Sequence, residues 1–334
     1  MHSRTKVPVP TPVVATLVEQ HLGVSAAGVD ELADGMYNAA YRVGLQNGGQ
    51  VVVKVAPPDD LPRLGYEDAL MRSEVSYYAH AAGRAPVPAV LAEDFTRRLI
   101  DRDVIFLSFL DGAPLQRIGR DLTDLGRATV RAELGTAVAR LHEVRGEFFG
   151  YDRPDDRDSL QGDTWGEAFG RMWDAVVSDV MRYRVRIGPT EELLRSTVRR
   201  HRALLDEVSA PALVHFDLWD GNVFAAQDGD SARLTGLIDG ERMFWGDPLA
   251  ELVSTSLFRD PAKDVAFNVA YARAGGREWA FDEDQRTRLA LYDAYVCMLM
   301  LAEAVPRGYR GMGAAMSRRF VRGRLRATLR RLHS

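Results

Sequence analysis

The chain of 334 residues has a formal net charge of -4, with 46% hydrophobic and 27% charged residues. This is an ordinary globular composition, long enough for about two domains, and it excludes a disordered chain or a strongly basic nucleic-acid coat. The single cysteine, Cys297, lies in an apolar run, so neither a disulfide framework nor a thiolate metal cluster can be built from it.

No stretch reaches the ~18 apolar residues of a membrane span, and the first residues lack a basic region followed by an apolar one. A cytoplasmic location with no membrane partner is therefore expected.

After a proline-punctuated lead, a short helix is predicted from Pro12 to His21. Between Glu31 and Val55 the pattern becomes two or three strands: Tyr37 to Val43, a turn at Asn47-Gly48-Gly49, and Val51 to Val55. Alternation puts Val51, Val53 and Val55 on one face and Val52 with Lys54 on the other. Only three of the 43 basic residues are lysines (Lys6, Lys54 and Lys263), so a lysine inside an apolar strand is not a casual choice. Its ammonium can hold phosphate oxygens from beneath a hairpin; the competing reading is a lysine snorkelling on an exposed face.

Beyond the prolines at 57 to 62, helical spacing runs from Glu67 to Ala82, and Glu74, twenty residues after Lys54, is placed to pair with it. Glu67 is expected about two turns earlier on roughly the same face. A strand pair across Val90 to Phe95 and Leu99 to Asp101 follows, then the apolar strand Val104 to Leu110 running into Asp111-Gly112. Helices are predicted at Leu134 to His142, Thr164 to Arg184, Glu191 to Val208, Leu249 to Leu257 and Arg286 to Glu303, with a charged stretch at 152 to 158. The last segment, Arg318 to Arg331, has seven arginines and no acid, but Val321, Leu325, Leu329 and Leu332 recur at helical steps. It is read as a docked amphipathic helix, with contact to an anionic partner as the alternative, and no nucleic acid is expected.

The densest chemistry lies between His215 and Asp239. Leu213-Val214 ends a strand, Asp217 and Asn222 stand five residues apart in a polar loop, and a second strand delivers Asp239 after a hairpin turning at Asp228-Gly229-Asp230. Two carboxylates and an amide at these spacings suit phosphoryl transfer, in which the protein positions a nucleophile and holds magnesium.

These residues resemble the kinase-like phosphotransferases that include aminoglycoside, choline and fructosamine kinases. His215, Asp217 and Asn222 match the family's His-Gly-Asp-x-x-x-x-Asn loop, while Ile238-Asp239-Gly240-Glu241 and Gly246-Asp247-Pro248 match its later motifs; Phe216 replaces the usual glycine and Gly240 the usual aromatic. The resemblance implies a two-lobed α+β protein-kinase-like fold: a small antiparallel-sheet lobe with one helix over residues 1–107, a hinge at 108–112, and a larger, mainly helical lobe over 113–334. It implies that Asp217 accepts the proton of a small-molecule hydroxyl, that Asn222 and Asp239 hold Mg²⁺, and that Lys54 with Glu74 positions the phosphates of ATP or GTP. His215 braces the loop. Ser108 and Leu110 lie against the base, and the Asp34 to Asn38 turn is a reduced phosphate loop.

Asp174, Asp179, Asp220, Glu241, Glu251 and Asp260 are expected to make the larger lobe's cleft acidic. That favours a cationic acceptor, such as an aminoglycoside or a basic peptide, phosphorylated as a resistance step. The competing readings are acids that only balance the arginines, a metabolic kinase of choline, fructosamine or homoserine type, and a nucleotide-binding pseudokinase.

Overall fold

The computed structural model describes residues 3–33, 35–153 and 160–334. Asp34 of the predicted phosphate turn and residues 154–158 of the charged stretch lie outside them. The elements run α1 (Thr11–Leu22), β1 (Ala26–Leu32), β2 (Ala39–Leu45), β3 (Gln50–Val55), α2 (Leu70–Ala81), β4 (Val90–Asp94) and β5 (Val104–Ser108). The chain then makes β6 (Ala113–Pro114), α3 (Leu115–Ile118), α4 (Asp124–His142), β7 (Phe149–Tyr151), β8 (Gln161–Gly162), α5 (Trp165–Arg182), α6 (Glu191–Arg200) and α7 (Arg202–Asp206). It finishes with β9 (Ala212–Val214), β10 (Val223–Asp228), β11 (Ser231–Leu237), β12 (Phe244–Gly246), α8 (Glu251–Thr255), α9 (Val265–Arg273), α10 (Glu283–Glu303) and α11 (Met312–His333).

The first five strands form one antiparallel sheet in the order β1-β2-β3-β5-β4. Pleating sends Val51, Val53 and Val55 to the outer face, where Val14, Leu17 and Val18 of α1 cover them in a separate small core. The 14, 17, 18 spacing is one stripe of a helix, and burying each such side chain contributes about 1.5–3 kcal/mol. Val52 and Lys54 consequently face inward, towards the rest of the molecule.

Three sequence expectations are corrected here. Leu99 to Asp101 is not a strand: residues 95–103 form a loop ordered by Thr96 on Asp94 (2.9 Å) and Arg97 on Asp103 (2.7 Å), and Leu99 is left exposed with no strand to pair with. The helix begins at Leu70, not Glu67, because Ala69 adopts a left-handed conformation (φ 58°) that separates it from a 3₁₀ turn at Gly65–Glu67. Glu67 therefore leaves the face that carries Glu74. The helix predicted from Glu191 to Val208 is broken at His201 into α6 and α7.

The second half is mainly helical. Its core packs α5, whose buried residues Trp165, Phe169, Met172, Trp173 and Val176 recur every three or four positions, beside α10, and Trp165 Nε1 donates to the Tyr292 hydroxyl at 2.8 Å. The predicted apolar stripe of the C-terminal helix is buried as expected, with Val321, Leu325, Leu329 and Leu332 at 5% exposure or less. Two small sheets, β11-β10-β6 and β8-β7-β12-β9, carry the loops discussed below. No helix among the described residues is long and apolar enough to cross a membrane.

Between β5 and β6 the chain passes from the five-stranded sheet to the helical half through residues 109–112. Gly112 sits at φ 93°, and a Cβ there would lie 2.4 Å from the Ala225 carbonyl oxygen and 2.9 Å from Thr235 Oγ1. Both the conformation and the close approach require glycine. Gly112→Ala is expected to destabilise the protein by roughly 1–3 kcal/mol, seen as a lowered thermal unfolding midpoint.

Candidate active site

Lys54 is nearly buried, and its Nζ donates to Glu74 Oε2 at 2.5 Å and to Asp239 Oδ1 at 2.7 Å. Burial by itself would favour the neutral amine, but Asp239 and Glu74 outweigh it and hold the ammonium's pKa above the usual lysine range. Glu74, wholly buried, is pushed up by desolvation and drawn back by Lys54. The strand lysine and the helix glutamate singled out from spacing are thus in contact, together with the aspartate predicted 185 residues away.

The loop after β9 is hung from one buried carboxylate. Glu251 accepts the backbone N–H of His215 at 2.7 Å and of Phe216 at 3.0 Å. Burial works to raise Glu251, but His142 beside it and the loop amides hold it below the usual carboxylate range. His215 Nδ1 accepts from the Asp217 amide at 3.2 Å, so the ring's proton sits on Nε2, which donates to the Ile238 carbonyl at 2.9 Å. Desolvation lowers the His215 pKa, and the neutral ring braces two loops against each other.

The two departures from the family motif have structural explanations. Phe216 holds a left-handed conformation (φ 63°), which costs an aromatic residue on the order of 1–2 kcal/mol where glycine would pay nothing. Its ring is buried 4.9 Å from Phe244 and 5.9 Å from Tyr295, a gain of comparable size. At Gly240, a Cβ would fall 2.1 Å from the Tyr77 ring. Tyr77 of α2, which also stands edge-on to His215 at 4.8 Å, occupies the space an aromatic at 240 would need.

Asn222 Nδ2 donates to the Asp217 carbonyl at 2.9 Å and to Asp217 Oδ2 at 3.3 Å. The amide's orientation leaves Oδ1, a hard oxygen donor, for another partner, and the Ile238 N–H on the Asn222 carbonyl (3.1 Å) brings that residue beside Asp239. Among the described residues no group of three or more His, Cys, Asp or Glu could hold a metal alone. An amide oxygen with one carboxylate suits Mg²⁺ that completes its shell with phosphates and water.

Asp217 is a quarter exposed, with Arg242 Nε 3.8 Å from its Oδ2. Desolvation pushes its pKa up to about 6, with Arg242 opposing and Glu303 adding to the rise. Arg242 donates in turn to Glu303 (2.8 Å), which accepts from Tyr66 (2.5 Å) and pairs with Arg307 (2.9 Å), and Arg307 donates to Glu67 (2.6 Å). This chain of paired charges was not seen in the sequence. Only the Glu303 and Arg307 spacing, four apart at a helix end, offered a local hint.

At the passage between the halves, the amide of Ser108 donates to the Ala89 carbonyl and its hydroxyl accepts from the Ala89 amide, both at 2.9 Å. The Leu110 side chain lies against Gly236 of β11. Asn38 Nδ2 donates to Glu241 Oε2 at 2.9 Å and links the loop before β2 to the segment after Asp239. Glu241 is pushed up to about 8 by desolvation, with Lys54 opposing and Glu74 and Asp239 reinforcing.

Most acids expected to line the cleft are committed elsewhere. Glu251 is buried under the loop, Asp260 caps a turn through the Ala262 amide (3.1 Å), and Asp179 accepts the Gly65 amide (2.8 Å). Asp174 pairs with Arg195 at 2.9 Å, and Asp220 lies 3.5 Å from Arg259.

Removing the cation beside Asp217 should raise its pKa, because a nearby positive charge favours the ionised carboxyl. Arg242→Gln is expected to move the Asp217 titration upwards from about 6, by ~1 unit. Carboxyl-carbon NMR of aspartate-labelled protein would measure it.

A curated relative, the 4-hydroxytryptamine kinase of Psilocybe cyanescens, is 25% identical over 293 residues, covering 77% of each chain. A candidate fructosamine-3-kinase structure from Thermobifida fusca superposes with a TM-score of 0.67 at 23% identity, covering 95% of this chain and 98% of that one. The streptomycin–ATP–APH(2")-IIa ternary complex gives 0.60 at 15% identity, covering 95% and 96%. The likeness shows a two-lobed protein-kinase-like fold. The family model described as "phosphotransferase enzyme family" matches residues 28–289, and the chain belongs to that family.

Proposed function

We propose that the protein transfers the γ-phosphate of ATP, with GTP as an alternative donor, to a hydroxyl of a small amino-bearing molecule. The observation that carries this reading is the juxtaposition of Lys54, Glu74 and Asp239 within hydrogen-bond distance, beside a loop that sets Asp217 next to Asn222. Lys54 would hold the phosphates, while Asp217, ionised above about pH 6, would take the hydroxyl proton as the acceptor oxygen bonds to phosphorus and the bond to the bridging oxygen breaks. Mg²⁺, when bound, would neutralise phosphate charge, held by Asn222 Oδ1 and the Asp239 carboxylate. The backbone of residues 108–112 would serve as hinge and base-binding edge; since the Ser108 amide and hydroxyl are spent on Ala89, its carbonyl and the Leu110 amide are the groups left for the base.

The acceptor's charge follows from the linked cluster around Asp217. Six carboxyl groups (Glu67, Glu74, Asp217, Asp239, Glu241, Glu303) face three cations (Lys54, Arg242, Arg307), a surplus of three negative charges when all are ionised and of two while Glu241 keeps its proton. Glu241, at about 8, holds its proton at neutral pH until a cation arrives. Such a site favours an ammonium group. The Psilocybe relative is a kinase of 4-hydroxytryptamine, an amine carrying a hydroxyl, and gentamicin and streptomycin, both aminoglycosides, are bound in similar folds.

The test is a panel of amino-bearing and neutral or anionic hydroxyl compounds with Mg-ATP, scored by phosphorylated product. Transfer confined to amines, weakened by salt because the attraction is screened over ~8 Å at physiological ionic strength, is the expected result. Phosphorylation of only neutral or anionic metabolites would overturn the acceptor assignment. Asp217→Asn should lower turnover ~10²–10⁴-fold while nucleotide still binds; near-normal turnover would remove Asp217 from its role.

A further inference from the structure

Tyr78 of α2 is 2% exposed, yet its hydroxyl sits at the centre of the candidate site. It donates to Glu74 Oε1 at 2.7 Å and accepts the Asp239 backbone N–H at 3.2 Å. Glu74 holds Lys54 through its other oxygen at 2.5 Å, and Lys54 returns to Asp239 Oδ1 at 2.7 Å. The four residues close a ring of hydrogen bonds in which Asp239 is held twice, by its backbone through Tyr78 and by its carboxylate through Lys54.

Asp239 needs that grip. It stands in a left-handed conformation, φ 59° and ψ 47°, which aspartate tolerates better than most residues as a single position held by hydrogen bonds. The following residue is Gly240, so no side chain there anchors the peptide, and the Tyr77 ring fills the space. With Phe at 78, the buried Glu74 oxygen and the Asp239 amide would both lose their partner.

We infer that the Tyr78 hydroxyl is a positioning group for the reaction: it fixes the backbone of Asp239 and so aims that carboxylate at the metal and phosphates, coupling α2 to metal affinity. The inference rests on the reading of Asp239 as a metal ligand. Partners that orient a metal's ligands typically contribute 10–100-fold to affinity or activity.

The test is Tyr78→Phe in the full chain, with Mn²⁺ binding followed by electron paramagnetic resonance in the presence of ADP. The expected result is Mn²⁺ bound 10–100-fold more weakly than by the wild type. The half-saturating Mg²⁺ for phosphoryl transfer should rise in parallel, high Mg²⁺ should restore the rate, and the acceptor KM should stay unchanged.

A folded Y78F with wild-type Mn²⁺ affinity would overturn the inference alone. A wild type that binds no Mn²⁺ with nucleotide would remove Asp239 as a ligand, and the inference with it. If Y78F does not fold, amide hydrogen exchange of the native chain decides: a protected Asp239 amide supports the ring, and exchange at the rate of an unstructured peptide overturns it.

Discussion

A lysine ammonium taken out of water demands carboxylates, and much of this molecule is arranged to supply them to Lys54. Withdrawing a charge from water costs several kcal/mol unless pairing returns it, so the sheet that carries Lys54, the helix that carries Glu74 and the loop that carries Asp239 must all arrive at one point. The outer valines of β3 are buried in the small core that α1 closes, which turns Lys54 inward. Tyr78 then ties the helix to the loop. The contacts that join the sheet, the helix and the loop are at the same time the contacts of the site.

The larger half repeats this logic with opposite sign. Glu251, wholly buried, is stabilised by the amides of His215 and Phe216, and this one carboxylate sets the loop that presents Asp217 and Asn222. Neutral His215 then joins that loop to Ile238, beside Asp239. Strain at Phe216 and Asp239, both left-handed, is tolerated because ring burial and buried hydrogen bonds surround them.

Much of the fold was legible because its signals are local. Alternation in Val51 to Val55 placed Lys54 on the inner face, and the period of Val321, Leu325, Leu329 and Leu332 buried the C-terminal helix despite its arginines. Leu99 to Asp101 misled because two apolar residues before an aspartate carry no information about a pairing strand. Glu67 misled because the left-handed kink at Ala69 is not a property of any residue's propensity. The cleft acids misled because a carboxylate's partner is set by what folds beside it: Asp174 meets an arginine 21 residues on, and Glu251 meets loop amides 36 residues back.

By itself the sequence determined the chemistry's vocabulary: a strand lysine, a helix glutamate twenty residues on, and the His215, Asp217, Asn222 and Asp239 series, all recognisable because they occupy short, fixed spacings beside apolar runs. Only the tertiary structure decided how those groups are tuned. Glu303 and Arg307 reach the site from the far end of the chain, while Tyr77, Tyr78 and Arg242, near Glu74 and Asp239 in sequence, find their partners only where α2 meets the Asp239 loop; the burial and neighbouring charge these residues impose set the site's pKa values, its carboxylate surplus and the aim of Asp239. Coulombic energy and desolvation depend on distance in space and on exclusion of water, and neither quantity exists until the chain has folded.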